Sequence, residues 1–429
     1  GSGDPGNNGP ALPFFFSAND GTHGDELWIS DGTAAGTKLL KDINTNGHSS
    51  PSEFTVMNNK VYFRANDGIN GSELWVSDGT TDGTRMLKDI KVNGDGNSNL
   101  SGLIVMNGKL YFRADDGTHG QELWVSDGTT DGTRMLKDIK VNGDGSWPDY
   151  FAVMNGKLYF NADDGTHGKE LWVSDGTTDG TSMVRDIYSG VNGGNPSELT
   201  VMNDKIYFSA NDGVYQSELW VSDGTTGGTR ILKDIKDNGS SAPSYFKVIN
   251  GKLYFRADDG TNGYEPWVSD GTADGTMMLK NINVSGNSYP GSYTVMNNRI
   301  YFSADNGTNG REPWVSDGTA DGTMMLKDIN VNSSHSSPSD FTVINERIYF
   351  SAKVSSIYQV WVSDGTEGGT IMLKDIDTYK FSTIGNKVFF FADDGASGYE
   401  PWVSDGTDSG TMMLKDINPG EDGCISGPS

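Results

Sequence analysis

Glu122-Leu123-Trp124-Val125-Ser126-Asp127-Gly128-Thr129 recurs along nearly the whole chain, and this recurrence sets the architecture. Its tryptophan returns as Trp28, Trp75, Trp124, Trp172, Trp220, Trp267, Trp314, Trp361 and Trp402, at spacings of 47, 49, 48, 48, 47, 47, 47 and 41 residues. A period of this length that fills a chain marks a repeat architecture. The copies run over residues 10–43, 54–90, 102–139, 150–187, 198–235, 245–282, 292–329, 340–376 and 380–417, with 418–429 as a tail. Residues 1–429 therefore read as one repeat domain.

One copy predicts four short strands, A to D. Gly102 to Met106 is an apolar run, and Asn107-Gly108 supplies the strongest two-residue hairpin signal. Lys109 to Ala114 forms strand B, Asp115 to Gly120 a loop, Glu122 to Ser126 strand C, and Thr133 to Ile139 strand D after a turn at Asp127-Gly128-Thr129. Strands B and C carry apolar side chains at both parities, as in Leu110 with Tyr111 and Leu123 with Trp124. A sheet with one wet face would alternate cleanly. Two apolar faces demand cover on both sides, which a radial stack of four-stranded blades provides. The prediction is an all-β chain forming a single β-propeller of about nine four-stranded blades; a linear β-solenoid is the runner-up. The first copy offers only Gly9-Pro10-Ala11-Leu12-Pro13 where its strand A belongs, so its blade is expected to be incomplete. The linker into the ninth copy is about six residues short, by the spacing of 41 against 47.

Composition narrows the function. The chain has 429 residues, 34% of them apolar, 58 glycines and a net charge of −26. Such acidity argues against nucleic acid and against anionic membrane surfaces, both of which need a basic face. No run approaches the roughly 18 apolar residues of a membrane span. The one cysteine, Cys424, has no partner for an internal disulfide.

Glu-Leu-Trp-x-x-Asp-Gly-Thr, at Glu26 to Thr33 and Glu73 to Thr80, resembles the signature of the ELWxxDGT-repeat family. Copies one to five match it fully; copies six, seven and nine have Pro266, Pro313 and Pro401 for leucine, and copy eight reads Gln359-Val360-Trp361. The resemblance implies a secreted or cell-surface protein used for scaffolding or adhesion. It implies no chemistry.

The acidic loops between strands B and C invite a metal reading. Asp20, Asp67, Asp116, Asp164, Asp212, Asp259 and Asp394 each precede a glycine, and six residues on stand Glu26, Glu73, Glu122, Glu170, Glu218, Glu265 and Glu400. A hairpin brings these ends together, so each pair with its loop carbonyls is a candidate Ca²⁺ site. The eighth copy has lost both features, with Lys353-Val354 and Gln359 in their places. Joint loss means that the two act as a unit, either around an ion or as hydrogen-bond acceptors ordering the loop. Asp127 lies roughly 17 Å of extended strand from Glu122 and belongs to the opposite rim, where Ser-Asp-Gly-Thr is turn chemistry.

Loops B–C and linkers D–A share one face, and that face varies. Its candidate ligand contacts are His23, Asn70, His119, His167, Tyr215, Asn262 and Asn309 at one loop position, with Trp147 from a linker. The strand-C tryptophans are assigned to packing between blades, and the Lys-Asp pairs of strand D to protection of an exposed edge. The resulting expectation is a non-enzymatic extracellular scaffold presenting repeated loops to a glycan, a matrix polymer or a surface protein, with Ca²⁺ as the candidate ion. Two alternatives accompany it: a structural building block that self-associates through its incomplete first blade, and a hydrolase working in the axial channel.

Overall fold

A computed structural model describes residues 12–92, 96–331, 334–420 and 423–425. It is all-β: nine antiparallel sheets form the blades of a nine-bladed β-propeller, eight with four strands and the first with three. In blade three the strands are Ser101–Met106, Lys109–Asp115, Gln121–Ser126 and Arg134–Lys137, in spatial order A-B-C-D. Asn107 and Gly108 take φ of 51° and 70°, the two positive angles that a tight primed hairpin turn requires. Among the described residues no helix is long and apolar enough to cross a membrane.

What holds the blades together is a repeated apolar contact. Between blades three and four, Met106, Tyr111, Leu123, Val125 and Leu136 pack against Leu158, Phe160, Ala162 and Trp172. One blade thus offers the Tyr-Leu-Val side of its sheet and the next offers the Leu-Phe-Ala-Trp side. Successive blades repeat this, and Phe16, Ala18 and Trp28 of blade one meet Phe389, Phe391 and Val403 of blade nine. Nine blades make nine such clusters, where an open stack would make eight, so the ring is closed. The strand-C tryptophans are 3–7% exposed and serve these contacts, as their spacing predicted.

Strand A is innermost, and A strands of successive blades adjoin around the axis. Strand D is outermost, and there the lysines do more than guard an edge. Lys137 Nζ donates to the Thr181 carbonyl of the next blade at 2.7 Å, and Lys415 donates to Thr37 across the blade nine to blade one boundary at 2.8 Å. They strap each blade to its neighbour. Proline in strand C also has a structural consequence. Leu123 pairs with Lys137 at the end of strand D, whereas Pro266, Pro313 and Pro401 bring no N–H to that position. Their D strands shrink to Met277–Met278, Met324–Met325 and Met412–Met413.

The first blade consists of Phe14–Asn19, Asp25–Ser30 and Lys38–Lys41. These correspond to strands B, C and D of other blades, in line with the incomplete copy read from the sequence. Leu12 packs on the cluster between blades one and two, while Ala11 lies outside the described residues. After blade nine, Cys424 takes the place that Ser49 holds after blade one. Its carbonyl accepts from Asn19 N at 2.8 Å, as that of Ser49 does from Asn66 N at 2.9 Å.

Phe208 is fully buried between blades four and five. Truncating Phe208→Ala is expected to cost about 3–5 kcal/mol, read as a lower guanidinium midpoint. Met277→Ala, on the exposed outer strand, is expected to leave that midpoint within error.

Candidate functional site

The Asp-Glu pairs fold next to one another but face different ways. Asp116 Oδ1 accepts the backbone N–H groups of Thr118 and His119 at 2.8 Å each, closing its own loop. Glu122 is fully buried and points to the D–A linker. It accepts from Ile139 N at 3.0 Å, Lys140 N at 3.2 Å, Ser146 N at 2.8 Å and Ser146 Oγ at 2.6 Å. Glu26 and Glu265 repeat the pattern through Ser49 and Ser288, while Glu170 finds Gly194 N at 2.6 Å. The glutamate therefore staples the linker that carries the chain to the next blade. Among the described residues no group of three or more His, Cys, Asp or Glu side chains could hold a metal ion.

The eighth blade now has a physical explanation. Strand D ends at Lys374 and the next strand A begins at Asp377, so the linker that a glutamate would hold is missing. Gln359 instead closes on its own loop, accepting from Val354 N at 2.9 Å and donating to Val354 O at 3.1 Å. Of the two readings left open by the joint loss, this geometry fits the hydrogen-bond acceptor.

The variable loop position is largely occupied by the loop itself. His23, His119 and His167 place Nδ1 at 2.7, 2.7 and 2.8 Å from Asp20, Asp116 and Asp164. These contacts raise the imidazole pKa values, the aspartate hydrogen bond being the main cause. Asn70 and Asn262 donate to Asp67 and Asp259 at 2.7 Å each, and Asn309 to Asp328 at 2.7 Å. Tyr215 remains exposed beside Asp212, whose Oδ1 accepts the Tyr215 N–H. Asp394 closes its loop on Ala396 N and Ser397 N, and Glu218 and Glu400 hold Ile235 N and Ile417 N. Most of this predicted ring is thus loop structure.

Trp147 stands apart, as its sequence context indicated. It sits at φ 52°, donates Nε1–H to Asp144 O at 3.0 Å, and lies 5.9 Å from the Arg113 guanidinium. A second cluster of this kind, unforeseen in the sequence, lies at the boundary of blades six and seven. The Arg256 guanidinium is 4.4 Å from the Tyr245 ring and 5.5 Å from that of Tyr264, which stacks on Tyr289 at 5.6 Å. Arg256 Nε donates to Ser244 Oγ at 2.9 Å, and Arg311 Nη2 donates to Ser303 Oγ at 2.8 Å. Among the described residues neither arginine forms an ion pair. Burial, with Arg256 close by, lowers the Arg311 pKa. Two guanidinium groups whose side-chain hydrogen bonds go to hydroxyls and which form no ion pair among the described residues, in a chain of charge −26, retain anion-binding capacity.

The inner strands frame this cluster. Each complete blade has a bulge in strand A whose second residue has positive φ in blades two to eight: Glu53, Gly102, Tyr150, Glu198, Tyr245, Ser292 and Asp340. Lys380 holds the bulge of blade nine. Bulges re-aim side chains, and here they vary the chemistry around a uniform axis. Each histidine is engaged by an aspartate, His48 by Asp25 at 3.0 Å and His335 by Asp305 at 3.7 Å. Cys424 is buried, and its burial raises the thiol pKa.

Burial lifts the carboxyls of Glu73, Glu170, Glu218, Glu265 and Glu400 to about 7, against the backbone donors that oppose the rise. A carboxyl whose folded pKa exceeds its unfolded value of 4.5 stabilises the fold fully below pH 4.5 and loses that contribution as pH rises through 7. The turn aspartates act oppositely: the Thr129 hydroxyl and N–H hold Asp127 below 3.8, so its contribution is lost as pH falls. Tm is therefore expected to peak near pH 5 and to decline toward pH 8. Glu73→Gln places an amide against the donors of Ile90 and Ser98 and is expected to cost about 1–3 kcal/mol. Melts across this range check both statements, since the cost of Glu73→Gln should shrink toward pH 8.

No protein-family model matches the chain, and no curated protein sequence matches it. Solved structures resemble it weakly. A puromycin hydrolase is 13% identical with a TM-score of 0.46, over 85% of this chain and 60% of that one. Its serine-to-alanine variant complexed with PGG is 12% identical with a TM-score of 0.45, over 80% and 58%. A structure from a study of two prolyl endopeptidases is 12% identical with a TM-score of 0.46, over 73% and 49%. The chain thus spans about half to three fifths of the length of these proteins. The expectation of a non-enzymatic binding scaffold is corrected here: the three structures named are of hydrolases, on the side of the hydrolase alternative. At such identity the likeness is one of fold alone and places no residue.

Proposed function

We propose that the chain serves a hydrolase by holding a carboxylate-bearing substrate at its axial mouth, where Arg256 and Arg311 are the anion-binding groups. The observation that carries this reading is the arginine pair, which forms no ion pair among the described residues, beside Tyr245, Tyr264 and Tyr289. Guanidinium forks match carboxylate geometry, and the flanking rings add stacking surface while excluding water. Half-exposed Tyr245 and Tyr289 give access from solvent. An extended peptide with a free α-carboxylate and a penultimate aromatic residue suits this surface. Burial of Arg311 supports the choice, because a partly desolvated cation gains more from an arriving anion than an exposed one. Extracellular placement and membership of the ELWxxDGT-repeat family belong to the same proposal, on the strength of the Glu26 to Thr33 motif and its copies.

Binding and turnover are read separately on the full chain. A fluorescent peptide ending in a free carboxylate is expected to bind about tenfold more tightly than its amide, the equivalent of 1.4 kcal/mol. Arg256→Gln is expected to erase that difference while leaving Tm unchanged. Cleavage of an internally quenched version of the same peptide, which keeps its free C-terminal carboxylate, reports hydrolysis. Equal affinity for the two peptides removes the arginine pair from the proposal, and binding without any turnover removes the hydrolase.

A further inference from the structure

The inner strands of blades seven, eight and nine, Gly291–Met296, Ser339–Ile344 and Asp377–Ile384, border a cavity of about 330 Å³. Ser292, Tyr293, Asp340, Phe341, Thr342 and Phe381 line it. It adjoins the arginine pair, because one segment of chain touches both. Gly291 stands at the first position of strand A, where blades two to six and blade eight carry serine or aspartate. A Cβ there would lie 3.2 Å from Arg311 Nη2 and 3.7 Å from Tyr245 Cε1, so the glycine leaves the room that the guanidinium takes. The next residue, Ser292, already lines the cavity. Tyr293 belongs to both places: it lines the cavity, and its hydroxyl donates to the Phe255 carbonyl, beside Arg256, at 3.3 Å. Arg256 and Arg311 both act on that phenol, opposing the rise in pKa that burial causes.

Asp340 is the one charged group on this wall, and it differs from the glutamates of the bulge ring. Glu53 Oε2 accepts from Gly102 N of the next blade at 3.1 Å, and Glu198 Oε2 from Phe246 N at 3.3 Å. Among the described residues the exposed Asp340 carboxylate has only Ser339 Oγ, at 3.5 Å, the outer limit of a hydrogen bond. It forms no ion pair there either. Lys380, at the matching position of blade nine, keeps Nζ 5.2 Å from the Tyr379 ring.

We propose that this cavity is a second subsite for the carboxylate-bearing ligand and takes its cationic nitrogen, an ammonium or guanidinium group, against Asp340. The subsite rests on Arg256 and Arg311 binding the carboxylate, and it narrows the substrate class to zwitterionic peptides. Tyr293, Phe341 and Phe381 bring aromatic rings of the kind on which a cation packs. Opposite charges at the two subsites also fix the direction of the peptide. A reversed ligand would set its carboxylate against Asp340 and its cation against the arginines, and like charges so placed are rejected.

The cation has two sources, the amino terminus and a basic side chain, and label-free calorimetry on the full chain separates them. The probes are the tripeptides Lys-Tyr-Ala and norleucine-Tyr-Ala, each with a free and an acetylated amino terminus, and the C-terminal amide of Lys-Tyr-Ala. The peptide with neither cation is expected to bind about tenfold more weakly than Lys-Tyr-Ala. Loss on acetylation assigns the subsite to the amino terminus, and loss with norleucine assigns it to the side chain. Asp340→Asn suits the φ of 56° and is expected to erase the difference at unchanged Tm, while the preference for carboxylate over amide persists. Glu53→Gln, in the same ring at blade two, is expected to leave the difference intact. Equal affinity with and without the cations, a difference that survives Asp340→Asn, or equal loss in both variants overturns the cation subsite. Where the carboxylate preference persists in those cases, the arginine site stands alone. If no peptide binds, or carboxylate and amide bind alike, the arginine site falls and the cation subsite with it.

Discussion

A four-stranded sheet with apolar side chains on both faces cannot satisfy itself, and the whole molecule follows from this. Tyr111 and Leu123 of one blade need the Leu158-Phe160-Trp172 side of the next, and so on around the ring. Because the two faces differ, each contact is directional, like a plug and its socket. Disulfides are not needed, since the apolar clusters recur at every boundary and the last of them joins Phe16 and Trp28 to Phe389. Around that frame the polar repeats do secondary work. Glutamates hold the linkers, aspartates close the loops, and lysines strap the outer strands to neighbouring turns.

Much of this architecture is written locally, and that is why it could be read. The tryptophan period counts blades, Asn107-Gly108 marks a hairpin, and apolar residues at both parities call for cover on both sides. The same locality explains the misreadings. Asp116 and Glu122 are neighbours along the loop, yet the partners of Glu122 stand 17 to 24 residues later, at Ile139 and Ser146. Nothing in a motif shows which way a carboxylate faces. The arginine cluster was illegible for a different reason. Arg256 lies on strand B of blade six and Arg311 at the start of strand C of blade seven, so no periodic pattern connects them. Only the closure of one blade on the next does.

A regular ring advertises its departures from regularity. Blade eight lost its linker and, with it, the buried glutamate; blade one lacks an inner strand among the described residues; the boundary of blades six and seven gathers aromatic rings around two cations. The loops that seemed most inviting, with their repeated aspartates and histidines, turn out to be self-contained. Chemistry concentrates where the repeat is broken. Uniform modules supply rigidity, and the exceptions are where recognition is proposed, in keeping with function grafted on a scaffold.

The prolines of strand C leave one more mark. In blades six, seven and nine the outermost strand is tied by two residue pairs where other blades have three, although Leu279, Leu326 and Leu414 still donate to the proline carbonyls. The circumference is consequently not of even strength. The shorter outer pairings are adjacent in blades six and seven and solitary in blade nine, so the sector that carries the paired arginines is also the one where two neighbouring outer strands each give up a residue pair.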